Sequence, residues 1–174
     1  MKLLAPLVAL ALLASPVMAE ETKLPEEFLM NSVAKITTCL RAQAAGMVKL
    51  AQMGKQLQAE EPGDTIAEDH KQTLLKILTN IENIRDVMNM EKVVGRHMIS
   101  LLITDYNKTP EELQKDLEPI AKRTDENMKV LMNNVSDLDE FNQAFLPKMN
   151  TCTEAMEKIA DTAEKYNKGL ENEK

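Results

Sequence analysis

Apolar residues recur in steps of three and four along four segments of the chain. This spacing places them on one face of an α-helix, so each segment is predicted to be helical. The predicted helices run from about Pro25 to Glu60, from Thr65 to Asn107, from Thr109 to Val135 and from Asp137 to Leu170. Helical patterning throughout residues 20–174 predicts a single all-α domain.

Two of the predicted helices begin with a capping box. Thr109 and Glu112 have the spacing at which a hydroxyl and a carboxylate satisfy each other's backbone N–H groups. Pro110 between them suits the first helical position, which makes this the clearest helix start in the chain. Thr65 and Glu68 repeat the capping-box spacing at the start of the second helix.

The predicted helices differ in length and include two prolines. The second helix is much longer than the third, so the bundle is uneven or the second helix breaks near Gly95. Proline inside a helix removes one backbone hydrogen bond, so kinks are expected at Pro119 and Pro147.

The third and fourth helices could instead be one. Their apolar faces are in phase, so residues 110–170 could form a single long helix. The break signal is the segment from Asn133 to Asp137, which offers turn-forming residues and an N-cap.

Cys39 and Cys152 favour four helices over three. An exported protein with two cysteines most often pairs them, and their Cα atoms must then lie within about 7 Å. In an antiparallel four-helix bundle both cysteines lie roughly 21–27 Å from the same end, whereas one long final helix separates them by about 40 Å. We therefore predict a Cys39–Cys152 disulfide in an up-down antiparallel four-helix bundle. Free buried thiols or an intermolecular bridge are the alternatives.

The composition supports this fold and excludes some partners. Aromatic residues make up 3% of the chain, with no Trp, so little of it suits β-strands. The formal net charge of −7 argues against binding nucleic acid or an anionic membrane surface.

Residues 1–19 have the pattern of a secretory signal peptide. Lys2 precedes an apolar stretch that ends at Val17-Met18-Ala19, a small-residue cleavage site. No later segment is apolar for long enough to span a membrane, so no membrane insertion is expected after cleavage. The sequence therefore predicts a periplasmic or secreted protein whose mature domain covers residues 20–174.

Glu91 interrupts the apolar face of the second helix. Val87, Met88, Val94 and Gly95 surround it on a helical net. A carboxylate is costly to bury unpaired, and burial raises its pKa. We expect Glu91 to reach water where the bundle opens, or to pair with a Lys or Arg. The functional alternative is an internal ligand or a polar specificity residue.

A His/Met group provides a second candidate site. Imidazole and thioether ligands suit copper(I) and haem iron. The helix heights place Met30 near the level of His97. The candidate ligands are His97, Met30, Met88, Met98 and Glu91. Methionine also fills gaps in cores, so packing is the competing interpretation.

The sequence favours a non-catalytic binding protein that needs no cofactor. It has none of the CxxC, HExxH or GxSxG patterns typical of redox, zinc protease and hydrolase sites. Expected partners are an envelope protein, a small apolar ligand in the methionine-rich interior, or a second copy of the chain. A periplasmic copper or haem carrier is the alternative.

Overall fold

The computed structural model describes residues 23–60 and 67–171, the last five as backbone only. These residues form four helices and no strand, which confirms the predicted all-α four-helix fold. The helices are α1 (Glu26–Glu60), α2 (Glu68–Tyr106), α3 (Pro110–Asn133) and α4 (Leu138–Glu171). The predicted signal peptide lies outside the described residues. Within those residues, no helix is both long enough and apolar enough to cross a membrane.

The start of α3 has the predicted cap, whereas the start of α2 does not. The Glu112 N–H donates to Thr109 Oγ1 at 3.2 Å, and the Thr109 N–H donates to Glu112 Oε2 at 2.9 Å. α2 begins at Glu68 with Ala67 at its N-cap position. The helix therefore starts later than predicted, and Thr65 lies outside the described residues.

The chain breaks between α3 and α4, so the prediction of two helices is confirmed. Asp137 Oδ1 accepts a hydrogen bond from the Glu140 N–H at 2.9 Å. Glu140 Oε2 in turn accepts from the Ser136 N–H at 2.8 Å. These bonds satisfy backbone donors at the start of α4, where a continuous helix would have no need of them.

The four helices pack around two hydrophobic clusters. α1 contacts each of the other helices, and α2 also contacts α4. The buried members of the first, which we call the Phe cluster, are Ala42, Leu50, Met53, Ile77, Ile84, Met128, Met132, Val135, Phe141 and Phe145. The buried members of the second, the aliphatic cluster, are Leu24, Leu29, Val33, Ile36, Val94, Met98, Leu102, Leu113 and Ile159.

The membership of the clusters is compatible with the up-down arrangement. The aliphatic cluster combines the start of α1 with the end of α2, the start of α3 and the second half of α4. The Phe cluster combines the opposite portions of the same helices. Neighbouring helices in the chain would therefore run in opposite directions.

Two glycines on α1 and α2 allow close packing instead of breaking their helices. α2 continues through Gly95, where a Cβ atom would lie 3.2 Å from Ile36 Cγ2. The bundle is consequently uneven, because α2 has 39 residues and α3 has 24. A Cβ atom on Gly46 would lie 2.5 Å from Phe145 Cζ, so the aromatic ring rests against the backbone of α1.

The end of α2 is fixed to the start of α1. Tyr106 Oη donates to the Leu24 carbonyl oxygen at 2.6 Å. Lys108 Nζ lies 2.8 Å from Glu26 Oε1, and this ion pair raises the pKa of Lys108. These contacts close the aliphatic cluster at its end.

Candidate functional site

A polar layer separates the two hydrophobic clusters. Cys39, Glu91 and Cys152 lie between the residues that their helices contribute to the Phe cluster and to the aliphatic cluster, and Gln43 follows Ala42 at the edge of the Phe cluster. We call Cys39, Gln43, Glu91 and Cys152 the middle layer, and all four are buried. Thr124 occupies the corresponding position of α3 and donates to the Ile120 carbonyl oxygen at 2.8 Å.

The disulfide of the middle layer joins α1 to α4. Cys39 and Cys152 are bonded, with their Cα atoms 5.6 Å apart, which confirms the predicted pair. Each residue is 5% exposed. A bond that closes a loop across 113 positions stabilises the fold by about 4–5 kcal/mol in the chain-entropy model.

Gln43 and Glu91 form a buried pair beside this disulfide. Gln43 Nε2 donates to Glu91 Oε1 at 3.0 Å, and both residues are 0% exposed. Gln43 lies four residues after Cys39, so the two side chains share a face of α1. A carboxylate oxygen of Glu91 and the two sulfur atoms lie within 4.8 Å of one another.

The expectation that Glu91 reaches water or a basic partner is wrong. Its partner is an uncharged amide, because the middle layer lies between the two clusters rather than at an open end of the bundle. Burial raises the pKa of Glu91 to about 7, and the hydrogen bond from Gln43 opposes part of this rise. Glu91 therefore titrates near neutral pH.

Among the residues that the structure describes, two oxygen atoms of this pair find no hydrogen-bond partner. They are Gln43 Oε1 and Glu91 Oε2, and both are buried. A proton on Glu91 would give the pair a second donor. Buried polar groups are almost always satisfied, so two open acceptors beside a disulfide mark the middle layer as the candidate site.

One pattern in the sequence could have predicted that Gln43 is buried. Residues 29, 36, 43, 50 and 57 are spaced by seven, and Gln43 is the one polar residue among four leucine or isoleucine positions. A strict seven-residue repeat predicts burial on one face of a helix. Ala44, the next residue along α1, is exposed.

The structure places the predicted His/Met ligands in different parts of the bundle. Met98 is a buried member of the aliphatic cluster, and Met30 packs against the same cluster. Met88 instead packs against the Phe cluster, on the other side of the middle layer. His97 is half-buried. The three methionines thus contribute to packing in two separate places.

A shallow groove between α2 and α4 is a second surface feature. Asn80 Nδ2 donates to Asn142 Oδ1 at 3.2 Å and bridges the two helices. The groove has a volume of about 270 Å³ and is lined by Gln72, Leu75, Lys76, Thr79, Asn80 and Asn142. Leu75 is 56% exposed, and Leu146, one helical turn after Asn142, is 51% exposed.

Comparison with known proteins yields no relative: no protein-family model, curated protein or solved structure matches this chain. Its function is therefore inferred from its own residues and geometry.

Proposed function

We propose that this protein is an exported, non-catalytic helical bundle that binds a helix of another envelope protein in the groove between α2 and α4. The observation that carries the proposal is the pair of exposed leucines, Leu75 and Leu146, beside a polar groove between these helices. An amphipathic helix can lay apolar side chains against such leucines.

Two features support action outside the cytoplasm. The first 19 residues have the signal-peptide pattern. The Cys39–Cys152 bond is of the kind that persists in oxidising compartments and is rare in the cytosol.

A protein partner suits the groove better than a small apolar ligand. Sites for small apolar molecules are concave and lined mainly by hydrophobic side chains. The groove is shallow, and five of its six lining residues are polar or charged. Asn80 and Asn142 can bond to polar side chains of a docked helix while Leu75 contacts its apolar face.

Photo-crosslinking tests the proposal in the exported, full-length protein. A photoreactive phenylalanine analogue replaces Leu75 in one variant and Val130 of α3 in the control. Val130 is a suitable control because it is 64% exposed on a helix that does not line the groove. We expect a discrete product with one different protein from position 75, and its loss when Leu146→Glu is added.

Three results would contradict the proposal. Equal products from positions 75 and 130 would show non-specific contact. A product of two copies of this chain would show a homo-oligomer. A product that persists with Leu146→Glu would show that the pair of exposed leucines does not determine binding.

A further inference from the structure

We propose that reduction of the Cys39–Cys152 disulfide converts the middle layer into a zinc site, with both thiolates and the Glu91 carboxylate as ligands. The proposal does not depend on the groove between α2 and α4, because the two sites share no residue.

Three potential ligand atoms already lie together in the oxidised protein. The two sulfur atoms and a Glu91 carboxylate oxygen are within 4.8 Å of one another. They come from α1, α2 and α4, and all three residues are buried. Zinc–sulfur and zinc–oxygen bonds of about 2.0–2.3 Å require only small side-chain movements from this arrangement once the S–S bond is broken.

Glu91 has an oxygen atom available for a metal. Gln43 Nε2 donates to Glu91 Oε1, whereas Glu91 Oε2 is buried without a partner in the part of the chain that the structure describes. Gln43 would therefore act as a positioning residue that holds the carboxylate through Oε1. Metal-binding carboxylates are commonly held in this way by a hydrogen bond from outside the ligand set.

The chemistry of the donor set selects zinc. Thiolates disfavour Mg²⁺ and Ca²⁺, which prefer oxygen ligands, and a carboxylate is a poor ligand for copper(I). Zn²⁺ accepts thiolate and carboxylate ligands together in tetrahedral geometry, and three protein ligands leave its fourth position open to water. Three anionic ligands also compensate the charge of the buried dication.

The change has two steps. A dithiol reductant donates two electrons and two protons to the S–S bond, which breaks to give two thiols, while the reductant becomes a disulfide. Zn²⁺ then replaces both thiol protons, and any proton on Glu91, and these protons pass to water. A disulfide oxidant reverses the sequence: it accepts two electrons from the thiolates and two protons from water and becomes a dithiol, while the S–S bond forms and the ion is released. Disulfide and zinc therefore exclude each other.

Cobalt titration tests the site on the chain from residue 20 onward. The protein is reduced with a phosphine under anaerobic conditions and titrated with Co²⁺, which reports thiolate ligands by a near-ultraviolet charge-transfer band. We expect one Co²⁺ per reduced chain, its displacement by Zn²⁺, and no such band from the oxidised chain.

Matched variants distinguish this site from other metal binding. Cys152→Ser should abolish the charge-transfer band. Glu91→Gln should weaken Zn²⁺ binding more than about 10-fold, the lower end of the effect of losing a supporting residue. Glu82→Gln, an exposed carboxylate on the same helix, should leave binding unchanged, and so should His97→Ala.

Far-ultraviolet circular dichroism is recorded for every sample to follow folding. A reduced chain that stays helical, or that regains helix when Zn²⁺ is added, agrees with the proposal. The proposal is overturned if the reduced chain stays unfolded with zinc or binds no cobalt through sulfur. It is also overturned if Glu91→Gln binds Zn²⁺ as tightly as the parent protein does.

Discussion

The middle layer and the two hydrophobic clusters stabilise the bundle in different ways. Each cluster is built from apolar side chains contributed by all four helices. Its contribution comes from burial of apolar surface and close packing, which vary little with pH or redox state. The middle layer instead contains a disulfide, whose contribution depends on redox state, and a carboxyl group, whose contribution depends on pH.

The middle layer contains one group that stabilises the fold and one that destabilises it. The disulfide stabilises the fold by restricting the unfolded chain. Glu91 has the opposite effect when it is ionised, because within residues 23–60 and 67–171 its charge has no basic partner and one of its oxygens has no donor. Polar residues buried among apolar ones between helices also determine which residues face each other, and they do so at a cost in stability.

Removal of the disulfide is the largest change expected. The double variant Cys39→Ala and Cys152→Ala should lower the free energy of unfolding by about 4–5 kcal/mol, given the loop of 113 positions that the bond closes. Urea unfolding of the variant and the oxidised parent measures the difference. The four helices should still form, since both clusters are intact; a variant without helical signal would show that the clusters alone cannot hold the fold.

Much of the fold could be predicted because its signals are local. Thr109 and Glu112 cap α3 through atoms three residues apart, and Asp137 starts α4 in the same way. The disulfide was expected because exported proteins with two cysteines usually pair them. Helix heights, which depend only on the rise per residue, then favoured four helices. The start of α2 was placed too early, because the spacing of Thr65 and Glu68 alone does not determine whether a capping box forms.

The candidate site was only half predicted, because it joins separate helices. Glu91 was recognised as a carboxylate on an apolar face, but its partner, Gln43, lies 48 positions away on α1. Glutamine is common on exposed helix surfaces, so its type gave no sign of burial. The position of Gln43 in the seven-residue repeat did indicate burial. That Glu91 lies close to the sulfur atoms could be seen only in the folded structure.

Glu91→Gln should make the stability of the oxidised protein less dependent on pH. The pKa of Glu91 is raised from 4.5 to about 7, so the folded state binds a proton more tightly than the unfolded state between these values. Stability of the parent protein should therefore fall as pH rises from about 4.5 to 7. Glutamine removes this loss, so the variant should be about 2–3 kcal/mol more stable than the parent at pH 8 and similar to it at pH 4.

Urea unfolding at both pH values checks this result. Met98→Ala in the aliphatic cluster is the control, because its cost of about 2–5 kcal/mol comes from packing and should be equal at both pH values. If Glu91→Gln and the parent differ by the same amount at pH 4 and pH 8, the carboxyl group is not desolvated as the structure indicates.

Two glycines of α1 give the smallest and most local test of the Phe cluster. Gly46→Ala would place Cβ 2.5 Å from Phe145 Cζ, so the ring must move and the variant should lose about 1–2 kcal/mol. The Cβ atom of Gly54→Ala meets only Leu74 and Ile77, at 3.8–3.9 Å. This variant should be about 0.5–1 kcal/mol more stable than the parent, because alanine favours a helix interior. Thermal unfolding compares the two. Adding Phe145→Leu should reduce the penalty of Gly46→Ala below its value alone; an unchanged penalty would show that the ring does not rest on the backbone of α1.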